Sequence, residues 1–583
     1  MIQPAMRIMK GIAASGGIGF GRAFTYIHEK LVVPHVVIGP QQVEAEKNRF
    51  HKTLKKVADE LQHLNGSSEK EDHKKILETQ LLMLSDPEFI AAVEKKIGGD
   101  HICVEWAVKS VVSHHIAQLQ AAEDYMLRER STDLYDIGWR VIRKALGKKE
   151  MELDAKGEDI VLVADTLLPS EALSLHRMQV KAIVLNVGGR TSHVSILARA
   201  LQIPTVVGLA TITDEVQPND EIIVDGNRGE VIVRPTSSSV EKMKKRYEKW
   251  VAHEQSLQDL VGLPTVTLDG HTICLKANIE TIDEIETVVQ SGAAGIGLFR
   301  SEFLFLKPGG ASEQEQFEAY KHVLRQMEGI GSVTIRTIDV GGDKVIPGME
   351  ELGEENPILG WRAVRFCLAR QDIFKTQLRA LLRASAYGKL KIMFPMISGP
   401  EELESVLEVL EHVKEECRTS GVPFDEEIRI GTMIEVPSAA LCADLLAPKA
   451  DFFSIGTNDL IQYTIAVDRG NEKIAYLYQP LHPGVLRLLK MVVDKAHKGG
   501  IPVAICGEMA GDPLFTVLLL GLGIDELSMS PQSLLEIKSI IRSISLADAQ
   551  KLAKKVMEMD SYVTINAYVK EWMHETFADI YPA

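Results

Sequence analysis

The chain has little cysteine. Its six cysteines lie far apart, at positions 103, 274, 367, 417, 442 and 506. This spacing lacks the paired motifs of a zinc site and the density of a disulfide-stabilised secreted domain. We therefore expect a protein of a reducing compartment, the cytoplasm.

The sequence also lacks an excess of positive charge and any long apolar run. Sixty-five Lys and Arg stand against 81 Asp and Glu, a formal net charge of −16, which argues against nucleic-acid binding but allows a local basic pocket for a small anion. The longest apolar run, FTVLLLGLGI at 515–524, is shorter than the roughly 18 residues of a membrane span. The N-terminal GIAASGGIGFGRAF is too rich in glycine for the apolar helix of a signal peptide. We expect no membrane insertion.

What is present is 45% hydrophobic residues over 583 positions, enough for several globular domains. Residues 41–147 combine good helix formers with helically spaced apolar residues, which predicts a helical bundle inserted after a first strand. From 159 onward short β-rich segments alternate with helical ones and include a hairpin turn at GNRG. The polar stretch 237–260 suits an exposed connecting helix.

After Thr265 the sequence has eight β-rich segments separated by longer helical stretches. These segments are 272–278, 295–299, 333–337, 391–396, 428–434, 451–456, 502–506 and 525–529. About 300 residues with this alternation predict a (β/α)8 barrel, although an open parallel sheet would give the same pattern.

One histidine stands where a helix is expected to begin. In NVGGRTSHVSILARALQIPTVVG, Thr191 or Ser192 suits a helix N-cap, and the helix should end before Pro204. His193 then lies in the first helical turn, where unpaired backbone donors and the helix dipole favour an anion such as a phosphoryl group. A histidine that only caps or packs fits these residues equally well.

Reactive side chains follow five of the eight predicted barrel strands, at the end where barrel enzymes place their chemistry. They are Arg300, Arg336, Glu435, Asn458, Asp459, Arg469 and Cys506. Each one alone has an ordinary structural explanation as an ion pair, a cap or a core residue. Together, the arginines suit phosphate and carboxylate oxygens, the carboxylates suit Mg²⁺ and the cysteine can donate a proton. The set predicts a pocket for a small phosphorylated carboxylate with Mg²⁺.

Several motifs, in order and spacing, resemble one family over essentially the whole chain. The motifs are GGRTSHVSILARALQIPTVVG, GIGLFRSEFLFL, TIDVGGDK, EENPILGWRAVRF, FPMI, SIGTNDLIQYTIAVDRGN and CGEMAGD. The sequence is similar to the Enzyme I family of the bacterial phosphoenolpyruvate-dependent sugar phosphotransferase system. The resemblance implies that His193 takes a phosphoryl group from phosphoenolpyruvate on Nε2 and passes it to the phosphocarrier protein HPr, with release of pyruvate.

The resemblance also implies a role for each strand-end residue. Arg300 and Arg336 hold the phosphate, and Asn458 and Arg469 bind the rest of phosphoenolpyruvate, including its carboxylate. Glu435 and Asp459 are Mg²⁺ ligands, Asp459 lying within the substrate pocket as well. Cys506 protonates the enolate to give pyruvate.

The implied architecture is a multidomain α/β protein. Residues 1–32 and 148–236 form a swivelling phosphohistidine α/β domain, and residues 33–147 form an inserted helical HPr-binding subdomain. Residues 237–262 form a linker helix, and residues 263–583 form the barrel that binds phosphoenolpyruvate and dimerises.

The helix around LRERSTDLYDIG resembles the family's HPr-contacting helix, with Arg130 at a contact position. Gln80 and Ala172 depart from the family's usual His and Thr, which leaves HPr affinity and the control of the His193 tautomer open. Two other readings are a phosphoenolpyruvate synthase or dikinase, which needs an additional nucleotide-binding domain, and a regulatory phosphorylation sensor, in which reactive positions should be lost.

Overall fold

The computed structural model describes residues 5–26, 33–67, 80–81, 83–121, 125–148, 159–167, 171, 180–189, 193–305, 310–341, 356–469, 471 and 473–577. The chain divides into two compact units, Met1–His253 and Glu254–Ala583.

The first unit is built on an eight-stranded mixed sheet. Its strands are β1 (Arg7–Lys10), β2 (Ile12–Ser15), β3 (Ile18–Tyr26), β4 (Ile160–Ala164), β5 (Val180–Leu185), β6 (Thr205–Val207), β7 (Glu221–Asp225) and β8 (Glu230–Val233), in the order β1-β8-β7-β3-β4-β5-β6-β2. Strands β3 to β6 are parallel. The predicted GNRG hairpin is confirmed, because it joins the antiparallel strands β7 and β8.

The helical bundle is an insertion between two neighbouring strands. β3, which precedes it, pairs in parallel with β4, which follows it, with Tyr26 opposite Ala164. The bundle helices are Val43–Ser67, Pro87–Asp100, Val104–Ala121 and Tyr125–Ala145. Asp86 caps the second helix by accepting from the Glu88 amide, with Pro87 at the first helical position. The buried core of the bundle includes Phe50, Val93 and Val108.

Beyond the bundle, the first unit has the short helices His193–Ala200 and Ile212–Glu215. A longer helix, Ser237–Gln258, follows β8. The expected exposed connecting helix has mostly exposed residues, but one narrow face of it packs on the sheet. Met243 is buried with Ile18 of the sheet, and the ring of Tyr247 packs edge-on against Phe20, because apolar residues four apart lie on one helix face.

The second unit is a closed barrel of eight parallel strands, which confirms the barrel and excludes the open sheet. The strands are β9 (Cys274–Ile279), β10 (Gly295–Arg300), β11 (Ser332–Arg336), β12 (Leu390–Phe394), β13 (Arg429–Ile434), β14 (Phe452–Ile455), β15 (Val503–Ile505) and β16 (Glu526–Met529), with β16 pairing back to β9. All eight predicted segments are confirmed within one or two residues at their ends.

Helices surround these strands and bury their apolar faces on them. They are Ile285–Gln290, Glu313–Gln326, Val364–Ala369, Gln371–Ser385, Pro400–Thr419, Pro437–Leu441, Ala443–Leu446, Thr457–Ile465, Pro483–Lys498, Pro513–Leu522, Leu534–Arg542, Leu546–Met557 and Tyr562–Thr576. The longest apolar run of the sequence falls mainly in the buried helix Pro513–Leu522. Across the described residues, no helix combines the length and hydropathy that crossing a membrane requires.

Candidate active site at the barrel mouth

Side chains from several strand ends meet in one charged cluster. Arg336 ends β11, Glu435 follows β13 and Asp459 follows β14. Because all barrel strands are parallel, these positions share the C-terminal mouth. Glu435 is 1% exposed and Arg336 5%, so their charges interact with little water between them.

Arg336 is held by two carboxylates. Its Nη1 lies 3.0 Å from Oδ2 of Asp339, and its Nη2 contacts the carboxylate of Glu302. Burial opposes the charge, but the neighbouring Glu302 and Asp339 raise the pKa of Arg336 above its usual value. The Nε of Arg336 is buried and has no hydrogen-bond acceptor among the described residues. One donor of this guanidinium is therefore left for a ligand oxygen.

Arg362 also belongs to this cluster, although the sequence analysis assigned it no role. Its Nε and Nη2 donate to Asp339 at 3.1–3.2 Å, and its Nη2 lies 3.4 Å from Oδ2 of Asp459. Its Nη1 donates to the hydroxyl of Tyr463 at 3.3 Å. Arg362 thereby links Asp339, in the connection after β11, to the helix Thr457–Ile465 that follows β14.

Glu435 is fixed by the backbone of the loop after β12. The amide of Met396 donates to Glu435 Oε1 at 2.6 Å, and Met396 adopts a φ of 56°, a conformation that costs energy for a non-glycine residue. Gly456 leaves room for the carboxylate, since a Cβ there would lie 2.8 Å from Glu435 Oε2. Burial and the negative charges of Asp459 and Asp339 raise the pKa of Glu435 above its usual value. A cation between Glu435 and Asp459 would offset this repulsion.

A second group of polar contacts joins the helix after β14 to the segment after β15. Asn458 Nδ2 donates to Oε1 of Glu508 at 3.0 Å, and the Glu508 amide donates to Asn458 Oδ1 at 3.0 Å. Arg469 Nη1 lies 3.7 Å from the same Oε1. The two segments approach closely at Gly507, where a Cβ would overlap the side chain of Thr457. Asn458 and Arg469 therefore lie together around the carboxylate of Glu508.

Cys506 lies directly after β15, in the barrel interior. It is 4% exposed and packs with the apolar residues Leu298, Met393, Met433 and Phe452. Burial raises the pKa of the Cys506 thiol to about 11. The thiol is therefore protonated at neutral pH, as a proton donor requires.

The backbone of Cys506 is held on both sides. Its amide donates to the Ile455 carbonyl at 3.1 Å, and its carbonyl accepts from Asn278 Nδ2 at 2.9 Å. These two bonds fix the backbone at Cys506, and the thiol Sγ lies 3.7 Å from the Ile455 carbonyl.

Arg300 ends β10, as predicted, but none of its described contacts joins the buried cluster. Its Nη1 contacts the carboxylate of Glu280, which follows β9. The side chain of Arg300 is 39% exposed and that of Glu280 66% exposed. An exposed pair of this kind is weak, so a ligand can separate it.

In the first unit, His193 is the first residue of the helix His193–Ala200. This agrees with the predicted first-turn position, while the expected N-caps Thr191 and Ser192 lie outside the described residues, as does Ala172.

Arg130 lies within the helix Tyr125–Ala145. Gln80, which stands where the family usually has histidine, is 1% exposed. Its side chain donates to Asp136 at 3.0 Å, so the two residues form a buried hydrogen bond within the bundle.

The cluster at the barrel mouth suits a divalent cation completed by a ligand. Among the described residues, no group of three or more His, Cys, Asp or Glu is arranged to hold a metal ion. Mg²⁺ is usually bound by one or two carboxylates together with substrate phosphate oxygens and water. Glu435 and Asp459, with arginines beside them, match that requirement.

Comparison with known proteins agrees with this chemistry. Three family models match: "PEP-utilising enzyme, N-terminal" over residues 10–130, "PEP-utilising enzyme, mobile domain" over 156–229, and "PEP-utilising enzyme, PEP-binding domain" over 254–546. The chain is 42% identical to the phosphoenolpyruvate-protein phosphotransferase of Bacillus subtilis (strain 168) over 97% of this chain and 100% of that protein. It is 42% identical to the Priestia megaterium protein of the same name, over 97% of this chain and 99% of that protein.

A third relative of the same name is also similar over its full length. The phosphoenolpyruvate-protein phosphotransferase of Haemophilus influenzae is 41% identical, over 97% of this chain and 99% of that protein. Full-length similarity at this identity, together with the closed barrel, assigns the family: the chain belongs to the phosphoenolpyruvate-protein phosphotransferases.

Proposed function

We propose that this enzyme transfers the phosphoryl group of phosphoenolpyruvate to its own His193 and then to a histidine of the phosphocarrier protein HPr, releasing pyruvate. This is the first step of the phosphotransferase system for sugar uptake. The observation that carries the proposal is the buried cluster of Arg336, Glu435 and Asp459 at the mouth of a closed parallel barrel. It provides both signs of charge that a phosphorylated substrate with a divalent cation requires.

Arg300 and Arg336 bind the phosphate in this proposal, and the unpaired Nε of Arg336 supports that role. Arg362 adds a third guanidinium group to this end of the barrel, since its Nη2 lies 3.4 Å from Oδ2 of Asp459. Planar guanidinium groups offer paired donors to phosphate oxygens and offset charge that develops during transfer.

Glu435 and Asp459 would hold Mg²⁺. Burial, together with the negative charge of Asp459, raises the pKa of Glu435, and a divalent cation would offset that repulsion. When bound, Mg²⁺ withdraws charge from phosphoryl and enolate oxygens. Glu435 stays in position because the Met396 amide donates to it.

Asn458 and Arg469 bind the substrate carboxylate and set the direction of the molecule. Transfer then breaks the bond between phosphorus and the enolate oxygen and forms one between phosphorus and Nε2 of a neutral His193. The Cys506 thiol gives its proton to the methylene carbon of the enolate, which yields pyruvate and a thiolate that solvent reprotonates. A pKa of about 11 keeps that thiol protonated before the step.

HPr would bind the inserted helical bundle, with Arg130 among the contacts, and the barrel would form a homodimer. The domain ranges implied by the family resemblance describe this division of work: residues 1–32 and 148–236 carry the histidine, 33–147 bind HPr, 237–262 link, and 263–583 bind phosphoenolpyruvate. We propose a cytoplasmic location for this activity.

The test is phosphorylation with isotopically labelled phosphoenolpyruvate and Mg²⁺, first of the isolated protein and then with HPr proteins from the same genome. We expect label on His193, transfer to one HPr and no requirement for ATP. His193→Ala should bind phosphoenolpyruvate but take no label. Label on a histidine of that variant would contradict the assignment, and a requirement for ATP would favour a dikinase.

A further inference from the structure

The groups assigned to the substrate carboxylate already bind a carboxylate of the protein itself. Oε1 of Glu508 accepts from Asn458 Nδ2 at 3.0 Å and lies 3.7 Å from Arg469 Nη1. A substrate carboxylate recognised by the same two groups would occupy the same place. Glu508 and such a substrate therefore exclude each other.

The acids around this site differ in how firmly they are held. Asp339 and Glu302, the partners of Arg336, have side chains only 1% and 13% exposed. The Glu508 side chain is 81% exposed. Moving a buried carboxylate away from its arginine leaves uncompensated charges, whereas an exposed carboxylate can turn into water at little cost. Glu508 can leave, and the buried acids stay.

The backbone of Glu508 has a separate effect on Asn458. Its amide donates to Asn458 Oδ1 at 3.0 Å. This bond leaves Nδ2 of Asn458 directed at the carboxylate position whether or not the Glu508 side chain is there. A substitution of the side chain therefore removes the competing carboxylate without releasing Asn458.

We propose that Glu508 is an internal competitor for the substrate's carboxylate: it occupies Asn458 and Arg469 in the free enzyme and is displaced when phosphoenolpyruvate binds. The proposal rests on the proposed function and adds a residue that sets affinity at one end of the substrate. Glu508 is a positioning residue, because it touches the groups that bind the substrate and leaves as the substrate arrives.

The consequence is specific to the carboxylate end. Glu508→Gln should tighten phosphoenolpyruvate and pyruvate by about two- to fivefold, the range for loss of an exposed charge pair. Inorganic phosphate should bind as before. Glu280→Gln provides the opposite case, since Glu280 contacts Arg300, at the phosphate end. It should tighten inorganic phosphate and leave pyruvate unchanged.

The experiment measures binding of phosphoenolpyruvate, pyruvate and inorganic phosphate by calorimetry with Mg²⁺, in the full-length His193→Ala protein so that no transfer occurs. Glu508→Gln and Glu508→Ala are compared with Glu328→Gln, an exposed glutamate in the turn before β11, at the other end of the barrel. In the protein with His193, Glu508→Gln should lower KM for phosphoenolpyruvate.

Three outcomes would overturn the role of Glu508. These are unchanged affinity for phosphoenolpyruvate and pyruvate, weaker binding of both, and equal tightening of inorganic phosphate, which would indicate a general electrostatic effect. If instead the unsubstituted protein takes no label from phosphoenolpyruvate, the proposed function itself fails. The two failures are therefore distinguishable.

Discussion

Replacement of Arg362 by methionine tests whether the buried charge cluster is organised as described. Arg362 is 3% exposed and donates to both oxygens of Asp339, and it also contacts Asp459 and Tyr463. Methionine has similar length but carries no charge and no donor. Arg362→Met therefore leaves Asp339 and Asp459 with one cation fewer in a buried site.

The size of the effect follows from the geometry. Charges about 3 Å apart attract by about 5 kcal/mol at an effective dielectric constant of 20, and desolvation offsets part of this. Removal of one partner from a buried pair typically costs about 3–5 kcal/mol. Because Arg336 still lies 3.0 Å from Asp339, we expect the lower value, about 3 kcal/mol.

The assay is thermal unfolding of the full-length protein, followed by phosphoenolpyruvate binding with Mg²⁺. At roughly 2 °C per kcal/mol for a unit of this size, the barrel transition should fall by about 6 °C. Loss of a charge-assisted donor should weaken phosphoenolpyruvate binding by about 10- to 100-fold. Arg362→Lys keeps the charge but not the planar pair of donors, so it should recover part of the stability and little of the binding.

Arg365→Met is the matched control. Arg365 lies three residues further on and pairs through Nε with Glu402 at 3.2 Å, but one third of its side chain is exposed. An ion pair this exposed contributes about half a kcal/mol. Arg365→Met should therefore lower the unfolding temperature by about 1 °C or less. Equal unfolding temperatures for the unsubstituted protein, Arg362→Met and Arg365→Met would refute the reasoning from buried charge.

Four further predictions concern the reacting groups and the division of the chain. Cys506→Ala should slow turnover by about 10²–10⁴-fold with phosphoenolpyruvate still bound, and near-normal turnover would return Cys506 to a packing role. The raised pKa of about 11 keeps the Cys506 thiol neutral until the pH rises through 11. Iodoacetamide at pH 8 should therefore label the half-buried Cys442 before the buried Cys506. If mass spectrometry finds the reverse order, the burial argument is contradicted. Glu435→Gln should raise the Mg²⁺ concentration for half-maximal turnover by roughly tenfold or more, and an unchanged titration would remove Glu435 from the metal site. A cut near Val261 should leave an N-terminal fragment that exchanges phosphate with HPr through His193 but takes none from phosphoenolpyruvate, whereas direct labelling of that fragment would place the donor site elsewhere.

The barrel was predictable because its signals are local. Each strand is a short buried apolar segment between helical stretches, as in β12, where Ile392, Met393 and Phe394 are fully buried. The residue after such a segment lies at the mouth whatever the rest of the chain does. For this reason Arg336, Glu435 and Cys506 could be placed at the mouth from sequence.

Arg362 and Asp339 could not be placed in this way. Asp339 lies three residues beyond the end of β11, and Arg362 lies more than twenty residues further along the same connection. No periodicity links them, and only the folded chain brings Arg362 to within 3.4 Å of Asp459. The available signal was that Arg362 is one of two arginines in EENPILGWRAVRF, a motif shared with the family.

The helix Ser237–Gln258 differs from the expected exposed connector only in one narrow face that packs on the sheet. Its many charges suggested an exposed connector, yet Met243 and Tyr247 are four residues apart and face the sheet. Helical spacing of the few apolar residues is the better guide, because a long helix can bury one narrow face while its other faces are solvated.

The charges at the barrel mouth also bear on how the product leaves. Pyruvate keeps the carboxylate of phosphoenolpyruvate but loses the phosphoryl group, so under the proposed assignment Asn458 and Arg469 are the groups that still bind it after transfer. The buried arginines do not depend on a ligand for a partner, since Asp339 and Glu302 remain in contact with them. At the exposed end, a returning Glu508 replaces one carboxylate by another, so release of pyruvate leaves neither Arg469 nor the Asn458 amide without a partner. In this proposal, the return of Glu508 removes the cost of leaving these two donors unpaired when pyruvate departs.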